Sequence, residues 1–282
     1  LSGVTETALS ATRAVHTASS LVDAANTVLG TANAHAKCTA TAAFAAQWRD
    51  ARITLVGDTP PPDRPQRPTK PALLQPADVP RRKINRGTAG RIAQLHALAH
   101  IELNAVDLAW DIIARFSGRD LPREFYDDWV LVADEEAKHF GLLADRLSDF
   151  DAAYGDLPAH DGLWDSAIET RHDLAARLAV VPLVLEARGL DVTPMMITKL
   201  RGVDDEESAA MLEIIYRDEI GHVEIGHRWF EFECGRLGLD ALSHWRDLVE
   251  RHFRGALKPP FNIEARDAAG LPQDWYLTVS ET

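Results

Sequence analysis

Four glutamates of this chain fall inside apolar helical stripes, and two of them are followed three residues later by a histidine. In Glu136-Ala137-Lys138-His139 and Glu219-Ile220-Gly221-His222 this spacing returns both side chains to nearly one helix face. A single Glu-x-x-His is common on solvated helices and means little. These two, however, share their faces with Trp129, Val132, Phe140 and Leu143, and with Leu212, Ile215, Val223 and Trp229. Glu102 lies among Leu95, Leu98, Ala99, Val106 and Ala109, and Glu186 among Ala179, Leu183 and Leu190. An ionised carboxylate at a core position is costly unless it is paired or bound to a metal. The chain is therefore constrained to fold so that four helices bring these acids to one polar centre.

One Glu from each of two helices plus Glu-x-x-His from each of two others is a ligand set for two metal ions in a helical bundle. The predicted ligands are Glu102, Glu136, His139, Glu186, Glu219 and His222. Four carboxylates and two divalent ions would nearly cancel in charge. Imidazole and carboxylate donors suit iron, with manganese close behind and zinc less natural at six coordination. A metal-free hydrogen-bond network is the competing account, but it sets four acids against only two imidazoles.

Metal-bound imidazoles usually give their outer proton to a carboxylate or carbonyl. Asp218 and Glu135, each preceding a motif glutamate, are rotated by about a hundred degrees from it towards a neighbouring helix. They are expected to support the site, Asp218 accepting from His139 and Glu135 from His222. Tyr216, one turn before Glu219, is a candidate proton or electron donor, although a core tyrosine with a satisfied hydroxyl is the simpler reading. Tyr126 and Trp129 raise the same question with less support. His96 and His100 read as packing or surface residues, and Glu224, His227 and Glu231 as a solvated or interface face.

Periodicity predicts an all-α chain. Residues 1–57 form a helical hairpin, with Val15, Ala18, Val22, Ala25 and Leu29 on one stripe and a second run ending in Phe44 and Trp48. Residues 58–87 form a connector in which eight of the fifteen prolines lie between Thr59 and Pro80, removing backbone donors and regular structure. Residues 88–256 hold the four-helix bundle, with helices over 88–116, 122–148, 162–201 and 205–237 and a shorter one at 241–254. Asp161 and Asp204 are the expected N-caps of the third and fourth. Pro182 and Pro194 are expected to kink or break the third, Pro182 distorting it near Glu186. Residues 257–282 form an irregular tail packed across the bundle.

A formal net charge of -13 disfavours nucleic acid and anionic membranes as partners. No apolar run approaches the roughly twenty residues of a membrane span. Two isolated cysteines, Cys38 and Cys234, suit a reducing compartment, and with no secretion-type start a cytoplasmic location is expected.

The stretches LHALAHIELNAVDLAWDIIARF, LPREFYDDWVLVADEEAKHF, AYGDLPAHDGLWDSA, VPLVLEARGLDVTP and RDEIGHVEIGHRWF resemble a bacterial family of ferritin-like proteins catalogued as a domain of unknown function. The likeness runs from about residue 75 to 268, and more loosely over the hairpin. It implies a ferritin-like bundle with a dinuclear site on Glu102, Glu136, His139, Glu186, Glu219 and His222, distantly similar to the tRNA-hydroxylase branch of that superfamily. An oxygen- or peroxide-activating oxidoreductase, specifically a hydroxylase of an organic substrate, is then expected, with two iron ions as cofactor. Substrate, electron donor and oligomeric state are not legible. Iron oxidation, storage or detoxification is the alternative, followed by a helical partner-binding protein with a vestigial site. Fold alone does not choose among them.

Overall fold

The computed structural model describes residues 17–80 and 84–277. Their regular elements are all helical, and the pairing of Leu73 with Ala159 is a single parallel bridge. Helices α1 (Leu21–Leu29) and α2 (Ala34–Arg49) form a hairpin capped by the side chains of Ser20 and Asn33. Val22, Ala25, Leu29, Phe44 and Trp48 are all buried, while Val15 lies outside the described residues. The hairpin lies on two long helices, α3 (Thr88–Arg115) and α4 (Arg123–Ser148). A short helix this apolar needs such a surface, because packing supplies most helical stability.

The described residues of the connector carry no helix and meet α3 through Arg67 with Asp107 and through the Pro62 carbonyl, which accepts from Arg115. Arg67 bonds to Asp107 on α3 and to Asp161, and Lys37 of α2 pairs with the same Asp107. Asp161 precedes the third helical segment as expected, but its carboxylate is taken by Arg64 and Arg67 and makes no cap bond.

The third segment differs most from the sequence reading. In place of one helix over 162–201 there are α5 (Gly162–Glu169), α6 (Leu174–Val180), a π-helical turn (Val181–Glu186) and α7 (Ala187–Arg201). Asp173 restarts the chain as α6 by accepting from the Ala176 N–H. Pro182 opens the π turn, where the Ala187 N–H bonds to the carbonyl of Pro182, five residues back. Pro194, by contrast, sits inside α7 without breaking it. The Leu190 carbonyl that Pro194 cannot reach accepts from the Asn262 side chain at 3.1 Å.

Helix α8 (Glu206–Leu237) packs along α4, α6, the π turn and α7, and α9 (Ala241–His252) covers α6. The cap of α8 is Asp205, bonded to the Ser208 N–H at 3.1 Å, while Asp204 occupies the left-handed region at φ 62°. The tail contains two short helices, α10 (Ile263–Ala268) and α11 (Gln273–Tyr276), where the sequence suggested none. Arg266 of α10 and Asp191 of α7 form a buried two-bond pair at 2.8 Å that fixes it. No helix among the described residues is long and apolar enough to cross a membrane.

Candidate metal centre

Four segments each carry part of the cluster. Glu102 comes from α3, Glu136 and His139 from α4, Glu186 from the last residue of the π turn, and Glu219 and His222 from α8. An extra residue in a helical turn rotates the segments on its two sides by roughly 100° relative to each other. The π turn thus lets α6 keep its apolar face in the core while Glu186 turns to the cluster.

Glu102, Glu136, His139 and His222 are buried; Glu186 and Glu219 keep partial exposure because both line a cavity beside the cluster. His139 Nδ1 lies 3.5 Å from both Glu102 Oε2 and Glu136 Oε2. His222 Nδ1 lies 3.1 Å from Glu136 Oε1 and 3.6 Å from Glu219 Oε2. The two rings stand 5.8 Å apart. These approaches do not have hydrogen-bond geometry. Both Nδ1 atoms, both Glu136 oxygens, Glu102 Oε2 and Glu186 Oε2 are buried without a hydrogen-bond partner.

The outer nitrogens are fully engaged. His139 Nε2 is 3.0 Å from Asp218 Oδ2, and His222 Nε2 is 2.8 Å from Glu135 Oε2, so the pairs cross between α4 and α8. Asp218 also accepts from Lys138 at 2.6 Å, a contact the sequence did not suggest. Each ring is held from outside and offers its inner nitrogen to the cluster, the arrangement that fixes the tautomer of a ligating histidine.

Electrostatics show the same strain. Burial and the charge of Glu136 push Glu102 well above the usual carboxylate range. Burial and the charges of Glu219 and Glu136 push Glu186 up to about 8, and Glu219 rises for the same kind of reason. For Glu136 burial acts upward, but His139 and His222 outweigh it and hold the group low. Burial would lower both imidazoles, yet Glu102 and Glu136 raise His139 to about 11, and Glu219 and Glu135 raise His222. Protons thus occupy positions that a cation would take, and metal binding would release them. Ligand atoms of Glu102, Glu136, His139 and Glu219 lie within 4.8 Å of one another, so this buried group could hold a metal ion.

Beside the carboxylates lies a cavity of about 180 Å³ between α3 on one side and α7 with the π turn on the other. Its floor includes Glu102, Glu136, Glu186 and Glu219, and its walls are apolar, among them Ala105, Leu108, Leu185, Val192, Leu212 and Ile215. Sequence reasoning missed this feature. Gly189 and Thr193, one turn apart on α7, were its only local trace, because small residues on an apolar stripe leave room.

Tyr216 is not brought to this cluster. Its hydroxyl accepts from Asn262 at 2.8 Å, and its charged neighbours are Glu264 and Asp191, so it ties the tail to α8. Tyr126 packs edge-on against Phe125, while Trp129 borders a small void shared with Pro182 and Glu186. His96 and His100 are core residues with partners: His96 Nε2 accepts from the Gly155 N–H at 2.9 Å, and His100 bridges Tyr154 and the His160 carbonyl. Glu224 pairs with Arg228 and Glu231 is exposed, but His227, expected on a solvated or interface face, is buried within the chain against Trp275.

Comparison with known proteins places the chain in a family. The chain matches the family described as "Protein of unknown function (DUF455)" over residues 30–277. It is 42% identical over 224 residues, covering 76% of this chain and 77% of the other, to an "Uncharacterized protein" of Haemophilus influenzae. No solved structure matches. Because the match takes in α2 and all later helices, and with them every residue of the cluster, the chain belongs to the DUF455 family.

Proposed function

We propose that this chain is a ferritin-like dinuclear metal protein, with iron as the first candidate, acting as an oxygen-dependent oxidoreductase on a small organic substrate. The observation that carries the reading is the set of orphaned atoms. Two inner imidazole nitrogens and oxygens of three glutamates are buried without partners, while both outer nitrogens are held by acids. Leaving six such atoms unsatisfied is expensive unless cations fill the space between them. Four carboxylates and two imidazoles from four helical segments match the donor set of dinuclear carboxylate sites. Iron bound there would supply redox chemistry with oxygen.

The protein's own residues have separate tasks. His139 and His222 are held in one tautomer by Asp218 and Glu135. Glu102, Glu136, Glu186 and Glu219 provide the negative charge and can take or release protons as ligands change. The walls beside the carboxylates are apolar, so an apolar molecule seated against them would displace water from Glu186 and Glu219. Those walls also favour an organic substrate over iron storage, since an ion entering from solvent would need polar groups along its path. Hydroxylation is the specific reaction proposed: one oxygen atom enters the substrate and the other leaves as water, with two electrons and two protons supplied by a separate reductant.

The test is metal analysis of protein purified without oxygen, followed by optical and Mössbauer spectroscopy before and after oxygen exposure. Two irons per chain with a coupled, oxygen-responsive spectrum are expected. A single zinc ion per chain would overturn the reading.

A further inference from the structure

We propose that the cavity beside the glutamates binds a neutral, mainly apolar small molecule carrying one hydroxyl or carbonyl group, which Thr193 recognises. This names a substrate class for the oxidoreductase reading and rests on that reading for calling the occupant a substrate. The binding site itself stands on geometry alone.

Size comes first. A cavity of roughly 150 Å³ lined by apolar side chains holds benzene, so about 180 Å³ accommodates one ring with a short substituent. The walls then decide polarity. Apart from the four glutamates, the polar side chains of the lining are Thr193 and Arg188. Arg188 is directed to the tail, where its Nη1 donates to the Lys258 carbonyl at 2.7 Å, and it also meets Asp191 at 3.3 Å. In the metal-free chain, with the glutamates on the floor, an anionic ligand would meet carboxylates and find no cation directed at it.

Thr193 is the exception on the walls. Its residue is 8% exposed, it lines the cavity, and its hydroxyl makes no hydrogen bond to protein among the described residues. A mid-helix threonine commonly bonds back to the carbonyl four residues earlier, here Gly189. The hydroxyl is instead available to a ligand as donor or acceptor. Gly189 itself leaves the space open: a Cβ placed there meets nothing within 4 Å.

The experiment uses benzyl alcohol, toluene and benzoate as probes, with binding measured by calorimetry on the metal-loaded and the metal-free chain. On the metal-free chain benzyl alcohol is expected to bind about fivefold more tightly than toluene, the margin of one neutral hydrogen bond, and benzoate not to bind. Thr193→Val should erase the preference for the alcohol and leave toluene unchanged. Gly189→Leu should weaken both by about tenfold or more by filling the cavity, with the thermal transition and metal content retained. Ala105→Leu repeats that test from the opposite wall. On the metal-free chain, equal binding of both probes to wild type and Gly189→Leu, an alcohol preference that survives Thr193→Val, or benzoate binding as tightly as the alcohol would each overturn the proposal. If the probes behave as expected but the chain takes up no pair of ions, the oxidoreductase reading fails and the binding site stands. If two ions bind and no probe does, this proposal fails alone.

Discussion

Gly226 of α8 lies directly against the ring of Pro182: a Cβ built on the glycine would sit 2.3 Å from the proline Cβ and 2.6 Å from its Cγ. Helix α8 can therefore approach the π turn only because position 226 has no side chain. The approach sets where Glu186, four residues after Pro182, meets Glu219 on the same helix. Gly226→Ala is expected to push the two segments apart and cost about 1–3 kcal/mol by overpacking. Metal affinity should fall with it. Urea unfolding and chelator competition measure the two effects, and a variant with wild-type affinity would detach Glu186 placement from this contact.

Asp218 and Glu135 should matter through the histidines they hold. Asp218→Asn keeps the shape but loses the charge that accepts from His139 Nε2 at 3.0 Å. Metal affinity is expected to drop on the order of ten- to a hundredfold with the fold intact. Glu135→Gln should act likewise through His222. Circular dichroism and a competition titration are sufficient, and unchanged affinity in both variants would remove the supporting role.

His100 makes stability depend on pH. Burial lowers its pKa from 6.5 to about 4, and its bonds to Tyr154 and the His160 carbonyl suit the neutral ring. The unfolded chain therefore binds this proton more readily, so the contribution is complete above pH 6.5 and is lost as pH falls towards 4. By pH 5 the loss is roughly 2 kcal/mol. Urea unfolding at pH 7.5 and pH 5 should show a smaller decline in His100→Gln than in wild type, both free of metal. Parallel declines would refute the assignment.

Lys37 and Asp107 are fully buried and paired, with Arg67 3.3 Å from the same carboxylate. Removing Lys37 leaves the buried Asp107 carboxylate with Arg67 as its remaining counter-charge, so Lys37→Ala should cost about 3 kcal/mol, the lower end for breaking a buried pair. Replacing both, as Lys37→Met with Asp107→Leu, should recover much of that loss. Thermal and urea unfolding of the single and double variants compare them, and equal damage in both would show that the pair is not the source.

What the sequence determined was the inventory. Acids on apolar stripes at Glu102, Glu136, Glu186 and Glu219 were legible because burying a lone carboxylate is so costly that the pattern has few explanations. Helix limits at α3, α4 and α8 came from three- and four-residue periodicity, which is local. Tertiary structure decided the rest. Whether a proline kinks, breaks or is tolerated depends on what meets the freed carbonyl: Asn262 rescues Leu190 near Pro194, whereas Pro182 opens a π turn fitted against Gly226. Tyr216 lies on the same stripe as Glu219, but the tail reaches its hydroxyl through Asn262, a contact 46 residues away along the chain. Beyond the small residues Gly189 and Thr193 the cavity has no sequence pattern of its own, because empty space is set by how far α3 and α7 stand apart. That separation is a property of packing between distant segments, which periodicity along one segment does not encode.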